Sequence, residues 1–456
     1  MKTNSYDRSQ ALFERATKVI PCGIYGHFSP APLASPMSYP FYAASASGAH
    51  FTDIDGNDFI DYMCAYGPMV LGYRNKLIDD AVRKQIQKSG DLLGAPTPLM
   101  VDLAEMLVDM VPVAEWALFA KNGGDMTNYA TMVARSATGR PKIVAIQGGY
   151  HGIAPWMQGG GHHGVIEADI ADFIRIPWND VAAFERVLAE NPGRIAGFIA
   201  TPYHHPTFED SVLPAAGYWQ RIESLCHRHG VVLIVDDVRC GFRHHLGGTN
   251  EYFGFKPDLI CFCKAIGNGY PISAMVGTEA LKAEAAKVFF TGSYWYQAAP
   301  MAAALACLTE LRRIDAPKLM HEYGKKMTDG MVQIAKSYGY HLKVSGLPSM
   351  PYMRLTDDPS LMLHQRFCAA CTERGAYFTS HHNWFMSVAH TDEDLARTLE
   401  IVDDAFATLA RTQAPGERDD GALASVAPDA VPAPAADAAP ASDAASTAAE
   451  ATEEVR

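Results

Sequence analysis

The chain lacks any apolar run near the roughly 18 residues that a membrane-spanning helix requires. It also lacks an excess of positive charge. Against 51 acidic residues stand 38 basic ones, a net charge of -13, which argues against nucleic acid or an anionic membrane as the main partner. Cysteine occurs nine times, an odd number without a spacing framework, which excludes a small disulfide scaffold and suits buried thiols in a reducing compartment. Near the start, Asp7, Glu14 and Arg15 fall where a signal peptide would need an apolar stretch. The expectation is a cytoplasmic protein. A length of 456 residues, 48% hydrophobic and 20% charged, excludes fibrous and collagen-like classes. At roughly 150 residues per domain it predicts two or three domains, or one large α/β domain with a smaller partner.

From about Gln413 onward no aromatic residue appears, and alanine, proline and acids dominate; nine acids and two arginines place -7 of the net charge there. Such a segment buries too little apolar surface to offset its ordering entropy and is expected to be disordered. Before it, WALFA (116–120), KIVAI (142–146), AGFIAT (196–201), VVLIVDD (231–237), LICFC (259–263) and ISAMVG (272–277) are near-continuous apolar runs separated by helix-length segments. Strands apolar on both faces predict an α/β fold, a mainly parallel sheet flanked by helices. HFTDIDGNDFIDYM predicts an antiparallel hairpin turning through Asp55-Gly56. The stretch after Pro317 predicts a smaller α+β unit ending in the helix DEDLARTLEIVDDAFATLA (392–410). The expected organisation is an N-terminal segment 1–70 contributing to the small domain, a large domain 71–317, a small domain 318–412 and the tail 413–456.

In open parallel sheets, ligands bind beyond the carboxyl ends of the strands, and four strands here end in unusual residues. After Phe119, KNGGDMT offers a glycine pair, Gly123 and Gly124, before a helix, where backbone N–H groups and the helix dipole favour an anion. A simple tight turn is the plainer explanation for that feature alone. QGGYHG leaves Tyr150 and His151 at the mouth of the next strand, where a ring could stack on a heterocycle or merely cap the core. VVLIVDD places Asp236 at the end of an apolar strand, a costly position for a carboxylate unless a metal, a cation or a protonated ring nitrogen partners it. Capping of the next turn, or pairing with Arg239 or Arg243, is the alternative. Finally, PDLICFCKAIGNGYP puts Lys264 directly after a buried strand, where desolvation lowers the amine pKa as Schiff-base chemistry requires. A phosphate cradle, a stacking ring, an acid for a pyridinium nitrogen and a strand-end lysine together specify pyridoxal 5'-phosphate.

In the same order and spacing, these motifs resemble those of class III, fold-type-I pyridoxal-phosphate aminotransferases. DDVRCGFR is similar to the family's D-E-V-x-x-G-F-R, CKAIGNGYPISA to its lysine motif, KNGGDMT to N-S-G-T-E-A-T and GGYHG to G-x-Y-H-G. DIDGNDFIDYMCAYGPMVLGY resembles its N-terminal hairpin and MSVAHTDEDLARTL its last strand and helix, so the likeness covers about residues 8 to 411. Within the family, IYGH, DYMCAYGP, DDVRCGFR and TGSYWYQAAPMAAA look most like fumonisin aminotransferase-like members, with glutamate-1-semialdehyde aminomutase-like members next. The resemblance implies that Lys264 is the catalytic Schiff-base lysine and that Asp236 keeps the pyridinium nitrogen protonated. It further implies that Tyr150 and Val238 cover the two ring faces, that Gly123 and Gly124 bind the phosphate, and that Ser293 contributes to the phosphate site of a neighbouring subunit, so the active unit is a homodimer. Domain 71–317 becomes the cofactor-binding domain.

There are three departures from the family pattern, the first at the phosphate and the other two around the substrate pocket. Gly124 replaces a hydroxyl residue, YWYQAAP replaces S-G-N-P with the aromatics Tyr294, Trp295 and Tyr296, and TPYHHPTFED stands where aminomutases carry an acidic E-P motif. The substrate pocket is expected to involve Tyr25, Tyr66 and Trp295, with His381 and Trp384 as further candidates, and to suit a bulky or long-chain amine. The expected activity is amino-group transfer from such a donor to pyruvate or another keto acid. The alternative is an aminomutase of the glutamate-1-semialdehyde type. Four His-His pairs and Cys368-Ala-Ala-Cys371 raise a metal site, but adjacent histidines diverge on regular elements and no second C-x-x-C lies at zinc spacing, so no metal is expected.

Overall fold

A computed structural model describes residues 4–24, 42–159 and 162–412. The chain divides into units Met1–Glu417 and Arg418–Arg456; the second, with the predicted tail, lies outside the described residues.

Strands β1 (Ala43–Ser47), β2 (His50–Asp53) and β3 (Asp58–Asp61) form an antiparallel meander. The turn from β2 to β3 passes through Gly56. Next come β4 (Trp116–Ala120), β5 (Lys142–Ile146), β6 (Phe173–Ile176), β7 (Ile195–Ala200), β8 (Val232–Asp236), β9 (Leu259–Phe262) and β10 (Ser273–Gly277). They make a seven-stranded sheet in the order β4-β10-β9-β8-β7-β5-β6. Only β10 runs antiparallel to its neighbours, so all the other strands point their carboxyl ends to one edge. A hairpin of β11 (Leu342–Leu347) and β12 (Met350–Leu355) follows, and then β13 (Ala376–Tyr377), which pairs in parallel with β3. Segments from both ends of the described chain thus build one four-stranded sheet.

The apolar runs are explained by burial on both faces. In β8, Leu233 and Val235 join one core cluster while Val232 and Ile234 join the other. Alternate side chains of a strand point to opposite faces, so a strand covered on both sides must be apolar throughout. The helix Gly123–Thr138 packs on the second cluster through Met126, Tyr129, Ala130, Val133 and Ala134, a 3.6-residue stripe, and ends at Gly139 in the left-handed conformation. Among the described residues no helix is long and apolar enough to cross a membrane.

Candidate active site

The site forms where β4, β5, β7, β8 and β9 end. Asp236, the last residue of β8, is buried, and its Oδ2 lies 2.7 Å from His151 Nδ1, while Oδ1 accepts the backbone N–H of Val238 at 3.1 Å. The pairing with Arg239 or Arg243 considered from sequence is not formed. His151, in the loop after β5, is the partner, and its other nitrogen, Nε2, is buried without an acceptor among the described residues. The imidazole of His151 and the Val238 N–H together orient the Asp236 carboxylate. Sequence reasoning placed His151 at this mouth but gave it no role.

Beside this pair starts the helix Gly123–Thr138. Asp125 Oδ2 accepts the N–H groups of Asn122 at 2.7 Å and Lys121 at 3.2 Å, fixing the entry to the helix. A Cβ on Gly123 would stand 2.7 Å from Val238 Cγ1, so the helix start fits against the residue after the acid pair only as glycine. Gly152 has φ +118, and a Cβ there would meet Gly124 Cα at 2.8 Å. Thr127 Oγ1 donates to the carbonyl of His151 at 2.6 Å, tying helix and loop together. Tyr150, immediately before, is 53% exposed.

Lys264 follows β9 by two residues, in a 3-10 turn, with φ +44, a left-handed conformation that costs a residue bearing a Cβ energy and marks a functional position when observed. Its Nζ donates to the carbonyl of Tyr66 at 3.0 Å. Burial, and secondarily the Arg239 guanidinium, pull the amine down to about 7, even though the side chain keeps some solvent contact. The carbonyl is delivered by a strained segment: Cys64, Ala65 and Tyr66 all have positive φ, and Asp61 Oδ1 holds the preceding N–H groups of Met63 and Cys64 at 2.7 and 3.0 Å. Arg243 is structural, bound to the carbonyls of Gly67 and Met386.

Of the predicted substrate residues, Tyr66 is buried against the site, edge-on to His382 at 5.0 Å. Trp295 packs on Phe290 at 4.0 Å and on the second core cluster, in the loop that leaves Ser293 exposed. Trp384 is core, stacked on Phe378 at 4.0 Å, and His381 lies 5.4 Å from Phe208. Tyr25 lies outside the described residues. A further group near Lys264 was not anticipated: Arg239 donates to His205 and Asn383. Among the described residues no cluster of His, Cys, Asp and Glu is placed to hold a metal ion.

The sequence model of the class-III aminotransferases matches residues 34–406. The chain belongs to that family. It is 38% identical to an aminopentol aminotransferase of Sphingopyxis macrogoltabida over 89% of this chain and 95% of that protein. A glutamate-1-semialdehyde 2,1-aminomutase of Desulforamulus reducens is 30% identical over 89% of this chain and 99% of the other. The solved FumI protein of a Sphingopyxis species, in its PLP internal aldimine form, has a TM-score of 0.85 at 38% identity, covering 89% and 97% of the two chains. This aminotransferase therefore has the fold-type-I architecture and uses pyridoxal phosphate. Its residues fit the cofactor: a lysine whose amine is about half uncharged at pH 7, a buried carboxylate at a strand end, and a helix that starts on a glycine pair.

Proposed function

We propose that this aminotransferase moves the amino group of a bulky or long-chain amine, of amino-polyol type, to pyruvate or another keto acid. The observation that carries the transfer chemistry is the convergence of Lys264 Nζ, the Asp236–His151 pair and the Gly123 helix start at one sheet edge. The donor class rests on the 38% identity to an aminopentol aminotransferase and on the aromatic character of the loop around Trp295. When bound, pyridoxal phosphate supplies an electron sink for the pair released at the amine-bearing carbon. Lys264 Nζ would hold the cofactor until the donor amine displaces it; the freed amine would then take the proton from that carbon and return it to the cofactor's C4′ carbon, and in the reverse half-reaction would carry a proton to the acceptor's carbonyl carbon. Asp236, oriented by His151, keeps a proton on the ring nitrogen. Tyr150 and Val238 confine the ring between them. The helix start at Gly123 and Gly124 binds the phosphate.

The active unit is a homodimer in this proposal. Ser293 sits exposed in a loop flanked by Phe289, 85% exposed, and Tyr294, 63% exposed, a patch of apolar surface suited to a second subunit that would receive Ser293 at its phosphate site. A cytoplasmic location is supported by nine free thiols, none of them paired. The test is the visible spectrum of the purified holoenzyme with a panel of amines and no acceptor. Loss of the yellow band with a long-chain amine and its return with pyruvate is the expected result. Equal or better turnover of glutamate or 4-aminobutyrate than of hydrophobic amines would overturn the donor assignment. A band that no simple amine bleaches would favour the aminomutase.

A further inference from the structure

Arg239 is buried, yet none of its partners carries a negative charge. Its Nη1 donates to His205 Nδ1 at 3.0 Å, to the His205 carbonyl at 3.2 Å and to Asn383 Oδ1 at 3.2 Å. All three acceptors are neutral, and all three bonds leave from one nitrogen. The Nε and Nη2 edge of the guanidinium, the edge that matches a carboxylate in bidentate fashion, has no acceptor among the described residues. A guanidinium stays charged at every accessible pH, and burying such a charge without a counter-ion is strongly unfavourable. Asp236, a carboxylate whose charge reaches it, is already bonded to His151.

His205 strengthens the imbalance. Because its Nδ1 accepts from Arg239, the single ring proton of the neutral imidazole must sit on Nε2, and that N–H is buried without an acceptor among the described residues. The cluster is thus a set of donors seeking an oxygen. Asn383 is held in turn by Ser211 Oγ at 3.0 Å, so its carbonyl end stays on Arg239. The cluster borders the site at both ends: Arg239 follows Val238, which abuts Gly123, and Asn383 follows His382, whose ring lies 5.0 Å from that of Tyr66, the residue whose carbonyl holds Lys264 Nζ.

We propose that Arg239, backed by His205 and Asn383, is the anion receptor of this active site and binds an anionic oxygen brought by a small molecule. This rests on the transfer chemistry proposed above. Two molecules there carry such an oxygen: the keto-acid acceptor, through its carboxylate, and the cofactor, through its ring hydroxyl. The first would answer a demand of the reaction, since a polyol amine has no carboxylate but the acceptor always does. The one site must hold a neutral chain in one half-reaction and an anion in the other.

The experiment compares the holoenzyme with Arg239→Gln and Arg239→Lys, with sodium acetate as a probe on the unaltered enzyme. Loss of a charge-assisted pair predicts a keto-acid KM about 10- to 100-fold higher in Arg239→Gln, with kcat changed less and partial recovery in Arg239→Lys. Acetate should compete with the keto acid in the unaltered enzyme and lose that competition in the variant. Those results identify the acceptor's carboxylate. If the oxygen belongs to the cofactor, the pH midpoint of the visible band shifts by about a unit or more in Arg239→Gln while acetate competition is unaffected. A folded Arg239→Gln protein with unchanged KM, unchanged pH midpoint and unchanged acetate response would overturn the proposal. So would a failure of acetate to compete in the unaltered enzyme together with an unshifted pH midpoint in Arg239→Lys, should the glutamine variant not fold. An unaltered holoenzyme that no amine bleaches would instead refute the proposed function.

Discussion

Replacing Gly123 by alanine tests the phosphate cradle without touching a charged group. The new Cβ would stand 2.7 and 2.8 Å from the two methyls of Val238. Carbon atoms in contact settle at about 3.5–4.0 Å, so either Val238 or the helix start must retreat by roughly 1 Å. Overpacking of this kind costs about 1–3 kcal/mol. A helix start displaced that far would lengthen the N–H bonds proposed to hold the phosphate, and losing one or two charge-assisted bonds weakens cofactor binding by about 10- to 100-fold. The assay is titration of the apoprotein with pyridoxal phosphate, followed by the visible band, beside thermal unfolding. The decisive arm is the double variant Gly123→Ala/Val238→Ala, which removes the two methyls the Cβ strikes. It should recover most of the lost stability and affinity, with a coupling of about 1 kcal/mol or more. Strictly additive losses, or a single variant that binds the cofactor as tightly as before, would refute the packing argument.

Two further outcomes follow from buried titratable groups. The Lys264 amine, lowered to about 7 by burial first and Arg239 next, is half uncharged at neutral pH, where an exposed lysine is uncharged in fewer than about one molecule in a thousand. Reductive methylation of the apoprotein at pH 7 should therefore mark Lys264 ahead of other lysines and fade below about pH 6; peptide mass spectrometry reads this, and late labelling of Lys264 contradicts it. Asp237 is pushed up to about 7, chiefly by burial and also by Asp236 beside it, while its Oδ2 accepts the Thr249 N–H at 2.7 Å and its Oδ1 lies buried without a hydrogen-bond partner among the described residues. Between its ordinary range near 4 and about 7 the folded chain holds a proton that the unfolded chain has released. Stability should fall with rising pH across that window, by up to about 4 kcal/mol from this group. Asp237→Asn should flatten the slope, and an unchanged pH profile of denaturant unfolding would count against it.

The sequence alone determined the sheet and the positions of its chemistry. Val232 to Val235 had to be apolar at every residue because both faces of β8 are covered. A charged residue closing such a run, Asp236 or Lys264, stands out for the same reason: nothing in the periodicity explains it. The glycine pair that opens the helix 123–138 was legible as a close approach to an anion or a tight turn, though not as the contact with Val238 and Gly152 that the structure shows. What the sequence could not show is which loops meet. His151 and Asp236 are 85 positions apart, Arg239 and Asn383 144, and Lys264 and the Tyr66 carbonyl 198. Periodicity records which face of an element is buried; it does not record the path of the loops beyond the strand ends. Whether Asp236 met an arginine or a histidine, and whether Arg239 met a carboxylate or only neutral acceptors, was therefore decided by tertiary structure. There the pairing of donors and acceptors depends on backbone turned by residues such as Tyr66, Gly152 and Lys264, whose positive φ values leave no signature in a hydrophobic pattern.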